Sequence, residues 1–216
     1  MDQKLLLLIN HEWTHPWMDR FMAVMSSFDF WIPFLAAVFL IVALWAGFRG
    51  RAFLVTACLI VAFNDAVIGN SLKHTFQRLR PHEALSGIRH LDLVHVNPRL
   101  FAIAKPLKIV DSVAVPDHGQ GRSFPSNHAL DTVTIATLVA LFYRRYGWIA
   151  FIVPLVVGYS RVYVGSHWPS DVATSLILGT VSTLFLAFLA NRFWEKYGGR
   201  FWPSLHDRHP SLFTAS

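Results

Sequence analysis

Five apolar runs almost free of charge constrain this chain more than any other feature: Phe30 to Phe48, Ala52 to Asn64, Thr132 to Tyr143, Trp148 to Tyr159 and Val172 to Ala190. A helix crossing the hydrocarbon core of a bilayer needs roughly 20 mostly apolar residues. Each run reaches or approaches that length once its flanks are included, which predicts spanning helices near residues 28–48, 51–71, 127–144, 147–164 and 170–191. A soluble helical core within 216 residues could not hide all five. Only 15% of the residues are charged, against about 25% in soluble domains. The expected fold class is therefore all-α, a polytopic transmembrane helix bundle of about five spans. A sixth follows if Phe21 onward adds a short crossing.

The segments between the runs set the expected organisation. Leu5 to Ile9 is too short for the apolar core of a cleaved signal, and no small-residue cleavage site follows it. Residues 1–27, with His11, Trp13, His15 and Trp17, read as an amphipathic interfacial segment with its tryptophans at headgroup depth. Residues 28–191 form the transmembrane domain and 192–216 a cytoplasmic tail, poorly ordered from Arg200 onward because it lacks helical period. Arg49 and Arg51 flank one tight turn, Arg144 and Arg145 another, and Arg192, Lys196, Arg200 and Arg208 follow the last span. With five spans these cations share one side, which the positive-inside rule makes cytoplasmic. Segment 72–126 then faces outward despite its own basic residues. It is too long for a passive connector. Within it, Leu100 to Val110 suits a short helix or strand on the membrane, broken by Pro106, and Asp117 to Gly121 reads as a flexible turn.

The net charge of +6 fits anionic lipid headgroups better than nucleic acid, because no basic, aromatic-interleaved domain exists outside the spans. The single cysteine, Cys58, cannot form an intrachain disulfide and reads as a small buried apolar residue.

Three polar motifs interrupt this apolar pattern. In KHTFQRLRP, Lys73 and Arg80 are seven apart, which places both cations on one face of an extended second span, with the helix ending before Pro81. In FPSNH, Ser126 is a natural N-cap, and the free amides of the following turn favour an anion beside His128. In SRVYVGSHWPSD, Arg161 closes one span while His167 and Asp171 open the next, with Pro169 in the first turn. The spacing of His167 and Asp171 lets the carboxylate bond one imidazole nitrogen and leave the other free. Each motif alone has a simpler explanation: a snorkelling cation pair, an ordinary cap, an Arg–Asp pair at the membrane boundary. Under the five-span topology all three meet on one surface, and an oriented histidine beside arginine is the chemistry of phosphate transfer.

In order and spacing, K-x6-RP, PS-x-H and SR-x5-H-x3-D resemble the type 2 phosphatidic acid phosphatase superfamily, which holds membrane lipid phosphatases and soluble vanadium haloperoxidases. The resemblance covers residues 73–171. It implies His167 as nucleophile, forming a phosphohistidine, with Asp171 orienting and charging it, and His128 as general acid. It implies that Lys73, Arg80, Ser126, Asn127 and Arg161 bind the phosphate. Asn127 stands where the family motif has glycine; a retained amide contact and an altered headgroup preference are expected. No metal or other cofactor is expected, since neither an H-E-x-x-H pattern nor a carboxylate cluster is present.

The expected activity is lipid phosphatase, acting from the outer face of a bacterial inner membrane on a membrane lipid with a terminal phosphate. Lipid A 1-phosphate, undecaprenyl diphosphate, phosphatidylglycerophosphate and phosphatidic acid all present such a group. A lipid phosphotransferase using the same intermediate and a non-catalytic lipid transporter are the alternatives. Oligomeric state is not encoded in these motifs. Asn64 and Asp65, inside the second span, are expected to bond between helices, and Asp131 either to do the same or to tune His128. His82, His90, His95 and His118 are expected to be solvated loop side chains.

Overall fold

The first helix forms ahead of the first apolar run. In the computed structural model, which describes residues 1–114 and 121–213, α1 (Asp2–Leu7) continues through a π-helical turn, Leu8–Glu12. After a break, α2 (Pro16–Ser26) starts with Pro16 at its first position and the His15 ring accepting from the Trp17 amide at 3.4 Å. Trp13 and Trp17 are exposed, and the other face is built into the protein. Leu6, Ile9 and Met22 are buried with Ile88, Tyr163 and Trp168. Asn10, fully buried, donates to the Tyr163 carbonyl at 2.7 Å and accepts from the Arg89 amide at 3.0 Å.

Two antiparallel helices follow, α3 (Phe28–Trp45) and α4 (Phe48–Phe63). The second continues through a π-helical segment, Asn64–Gly69, into α5 (Asn70–Phe76), where Gln77 at φ 44° ends it in the left-handed region. The helix therefore stops before Arg80, and Lys73 and Arg80 do not share a helical face as the sequence suggested. Arg80 is carried by an extended stretch that leads into α6 (Pro81–Ala84).

The long loop is not all helical. Strands β1 (Arg89–Leu93) and β2 (Leu107–Asp111) pair antiparallel, with Arg89 opposite Asp111, and a 3-10 helix spans Arg99–Ala104. Pro106 separates that turn from β2. The all-α expectation is amended by this one hairpin. His82 and His90 are half-buried rather than free in solvent: their Nδ1 atoms donate to the carbonyls of Gly165 and Val164 at 2.9 and 3.1 Å. His95 is exposed; His118 and most of the turn expected at 117–121 lie outside the described residues.

Three further helices complete the bundle: α7 (Asn127–Phe142), α8 (Ile152–Tyr163) and α9 (Pro169–Phe201). Among the described residues, α3, the α4–α5 run and α9 are long and apolar enough to cross a membrane; α7 and α8 are apolar but shorter. α7 is central, packed against α4, α8 and most extensively α9. Gly179 on α9 allows that approach, because a Cβ there would come within 2.5 Å of Val133. Asn64 Nδ2 and Thr183 Oγ1 both donate to Thr134 Oγ1, at 2.9 and 3.1 Å, tying three helices together. Cys58, expected to be buried, is exposed on α4. An apolar exterior is what lipid solvates, so exposure there needs no polar side chain.

The carboxyl-terminal segment is also corrected. α9 passes the expected boundary at 191 and runs to Phe201, and α10 (Pro203–Arg208) folds back on it. Leu212 is buried with Ala57, Phe142 and Ala187. Asn191 Oδ1 accepts from the Leu212 amide at 2.9 Å, and Trp194 Nε1 donates to the His209 carbonyl at 2.7 Å. These contacts offset the chain entropy that a tail without helical period otherwise keeps.

Candidate active site

The end of α5, the start of α7, the end of α8 and the start of α9 come together, and with them the three motifs. Ser126 is the N-cap residue of α7, as its sequence context suggested, yet its hydroxyl makes no capping bond. Among the described residues Ser126 Oγ is buried without a partner, while its amide donates to Ser175 Oγ at 2.9 Å. The hydroxyl at the positive end of α7 is therefore free to meet an anion. His128 sits in the first turn of that helix, with the edge of the Phe28 ring against it. Lys73, Arg80 and Arg161 all lie close enough to act on its charge.

Arg161 is buried and donates to the Ser26 carbonyl at 3.0 Å and to the Ser26 hydroxyl. Its Nε has no partner among the described residues. The turn that follows α8 is closed by the Ser166 and His167 amides, which donate to the Arg161 carbonyl at 3.0 and 3.1 Å. That turn carries His167 back over Arg161. Only 3% of His167 is exposed. Its Nδ1 lies 2.7 Å from the Ser123 carbonyl oxygen, which can only accept. Nδ1 therefore carries the proton, and the Nε2 lone pair is left free. Burial, with Arg161 and Arg80 nearby, holds the imidazole well below its ordinary pKa, so it is neutral.

The expected bond between Asp171 and His167 is absent among the described residues. The Asp171 carboxylate instead accepts from Arg78 Nη1 at 2.5 Å, Ser123 Oγ at 2.5 Å and the Trp168 amide at 3.3 Å. Asp171 reaches the imidazole through Ser123, whose carbonyl is the direct partner. The reason is helical capping: from the first turn of α9 the carboxylate turns back to its own N-cap amide rather than toward the ring. Ser123 is set close to the KHTFQRLRP segment, its amide donating to the Arg78 carbonyl at 2.8 Å. Gly121 makes that approach feasible, since a Cβ there would fall 2.2 Å from the same oxygen.

Asn127 Nδ2 donates to Asp65 Oδ1 at 2.6 Å, so the residue at the glycine position bridges α7 to the π-helical segment. Asp131 adjoins Asp65, and Lys73 lies near both carboxylates. The interhelical role expected for Asn64 and Asp65 is what the structure has. Arg78 and Ser123 were missed by sequence reasoning. Arg78 lies inside a motif already singled out, but nothing local distinguishes it from a snorkelling cation, and Ser123 carries no signal. Among the described residues no group of three or more His, Cys, Asp or Glu side chains is arranged to hold a metal ion.

The family described as PAP2 superfamily matches residues 52–195. Lipid A 4'-phosphatase of Bacteroides thetaiotaomicron is 28% identical over 200 residues, covering 89% of this chain and 78% of that protein. Bacitracin transport permease protein BcrC of Bacillus licheniformis is 38% identical over 74 residues, covering 34% of this chain and 36% of that protein. The chain thus matches about a third of the length of BcrC. The crystal structure of Aquifex aeolicus LpxE is similar in fold, with a TM-score of 0.57 at 23% identity, over 86% of this chain and 93% of that one.

Proposed function

We propose, from the premise that the chain belongs to the PAP2 superfamily, that it is an integral-membrane lipid phosphatase working through a phosphohistidine at His167. The observation that carries the reading is the free Nε2 of a neutral, buried His167, set beside Arg161, Arg80 and His128. In the first step the Nε2 lone pair attacks phosphorus and the bond to the lipid oxygen breaks. His128, charged once the bound phosphate's negative charge offsets Lys73, Arg80 and Arg161, gives its proton to the departing oxygen and is left neutral. In the second step water attacks the phosphohistidine, His128 takes the proton, and inorganic phosphate leaves with His167 restored. Lys73, Arg80, Arg161, the Ser126 hydroxyl and the amides at the start of α7 stabilise the phosphoryl oxygens. These groups supply the positive charge that phosphoryl transfer needs, and the reading includes no metal ion.

Five spans are the reading of the bundle: α3, the α4–α5 run, α7, α8 and α9. The turns holding Arg49 and Arg51, and Arg144 and Arg145, then face the cytoplasm of a bacterial inner membrane, and the site faces outward. The long match to a lipid A phosphatase supports a bulky, multiply anionic headgroup, with undecaprenyl diphosphate and phosphatidylglycerophosphate as the other lead substrates. The test is phosphate release from these purified lipids in detergent, wild type against His167→Ala. Release from at least one lipid, abolished by the substitution, is expected. Equal release by both proteins would refute the assignment.

A further inference from the structure

We infer that Asp2 and Arg78 are positioning residues for His167, joined to it by an unbroken series of polar contacts from the amino-terminal helix. This rests on His167 being the attacking group. Asp2 Oδ2 pairs with Arg78 Nη2 at 2.7 Å and accepts from Ser170 Oγ at 2.6 Å; Oδ1 accepts from the Ser170 amide at 2.9 Å. The carboxylate therefore caps the first turn of α9 from another helix, where a negative charge is favoured. Arg78 extends from this pair to Asp171 Oδ1 at 2.5 Å and Ser170 Oγ at 2.8 Å, its guanidinium lying 5.0 Å from the Trp168 ring centre. Asp171 Oδ2 accepts from Ser123 Oγ, and the Ser123 carbonyl accepts a hydrogen bond from His167 Nδ1.

Two observations separate this arrangement from a surface ion pair. The Asp171 side chain is fully buried, whereas those of Arg78 and Asp2 are 36% and 27% exposed. A pair so exposed contributes little to folding, because solvent competes for both partners. Its effect lies in which rotamer Arg78 holds. With Asp2 in place, one guanidinium nitrogen faces Asp2 and the other faces Asp171; without it, Arg78 can swing into solvent and leave Asp171 unpaired. The second observation is that α1 is anchored independently of this pair. Leu6 is fully buried and Asn10 is bonded to Tyr163 and Arg89, so Asp2 is presented from a fixed base. Arg78 also grips Ser123 through its own carbonyl, so a shift of Arg78 moves the group that sets the imidazole tautomer.

The experiment uses the full chain in detergent with whichever lipid phosphate the wild type hydrolyses. It compares kcat, KM and thermal midpoint for Asp2→Asn, Asp2→Glu, Arg78→Gln and the Asp2→Asn/Arg78→Gln double variant, with His167→Ala as control. Asp2→Asn should lower kcat about tenfold, with KM within about twofold and an unchanged midpoint. Asp2→Glu should recover most of the loss. Arg78→Gln should lower kcat further, about 100-fold, and the double variant should be no slower than Arg78→Gln alone, because the two act in series. Wild-type kcat in Asp2→Asn, or independent multiplication of the two losses, would overturn the inference while leaving an inactive His167→Ala to support the function. Activity retained in His167→Ala would overturn both.

Discussion

His167 is buried in a cationic setting, and that combination decides its protonation. A charged imidazole would face both desolvation and the repulsion of Arg161 and Arg80, so the neutral nucleophilic form is the one the fold accommodates. His90 is also held below its ordinary pKa, first by burial and then by His82, whose ring centre is 4.2 Å away. Both groups bind protons less readily folded than unfolded, where the pKa is about 6.5. Above that value both states are neutral and nothing is lost. As pH falls below it, the unfolded chain takes up protons that the folded one refuses, and stability falls until the folded pKa values are passed. The thermal midpoint should therefore drop between pH 7.5 and 5, and His90→Gln should shrink the drop while keeping a donor for the Val164 carbonyl. An identical drop in the variant would show that His90 does not contribute. Motif spacing made Lys73, Arg80, Ser126, His128, Arg161 and His167 legible as one candidate site, because each sits near a helix end that the apolar runs define. The partner of His167 was not legible. A four-residue spacing allows an Asp–His bond but does not require it, and the N-cap amide of α9 competes for the same carboxylate.

At the scale of elements, the spans were readable because lipid imposes continuous apolarity, while their ends were not. The α4–α5 run passes residue 71 but stops at Phe76, short of Arg80, while α9 runs past 191 to Phe201, where α10 and the segment around Leu212 pack on the bundle. The β1–β2 hairpin was hidden because its strands are short and β2 is mostly exposed, leaving no clear alternation. Helix association in a membrane depends on close packing and a few polar contacts rather than on hydrophobic transfer. The Asn64–Thr134–Thr183 knot is the main polar link among α4, α7 and α9. Thr134→Val keeps the shape and removes the hydroxyl, so it should destabilise the bundle by about 1 kcal/mol or a little more. A reversible unfolding measurement in mixed micelles checks this. No change would mean that Asn64 and Thr183 find other partners.

For the whole molecule, four helix ends and an amino-terminal helix combine to hold one imidazole neutral, oriented and next to two cations, Arg161 and Arg80. In the proposed reaction the apolar exterior holds the lipid and the polar cluster provides the chemistry. The central claim is that phosphate passes through a covalent bond to His167. The direct measurement is rapid quenching of the enzyme during turnover of a lipid carrying radiolabelled terminal phosphate, followed by peptide mapping. An alkali-stable label on the peptide containing His167, absent from His167→Ala, is the predicted result. Label on another residue, or no label while wild-type turnover proceeds, would contradict it.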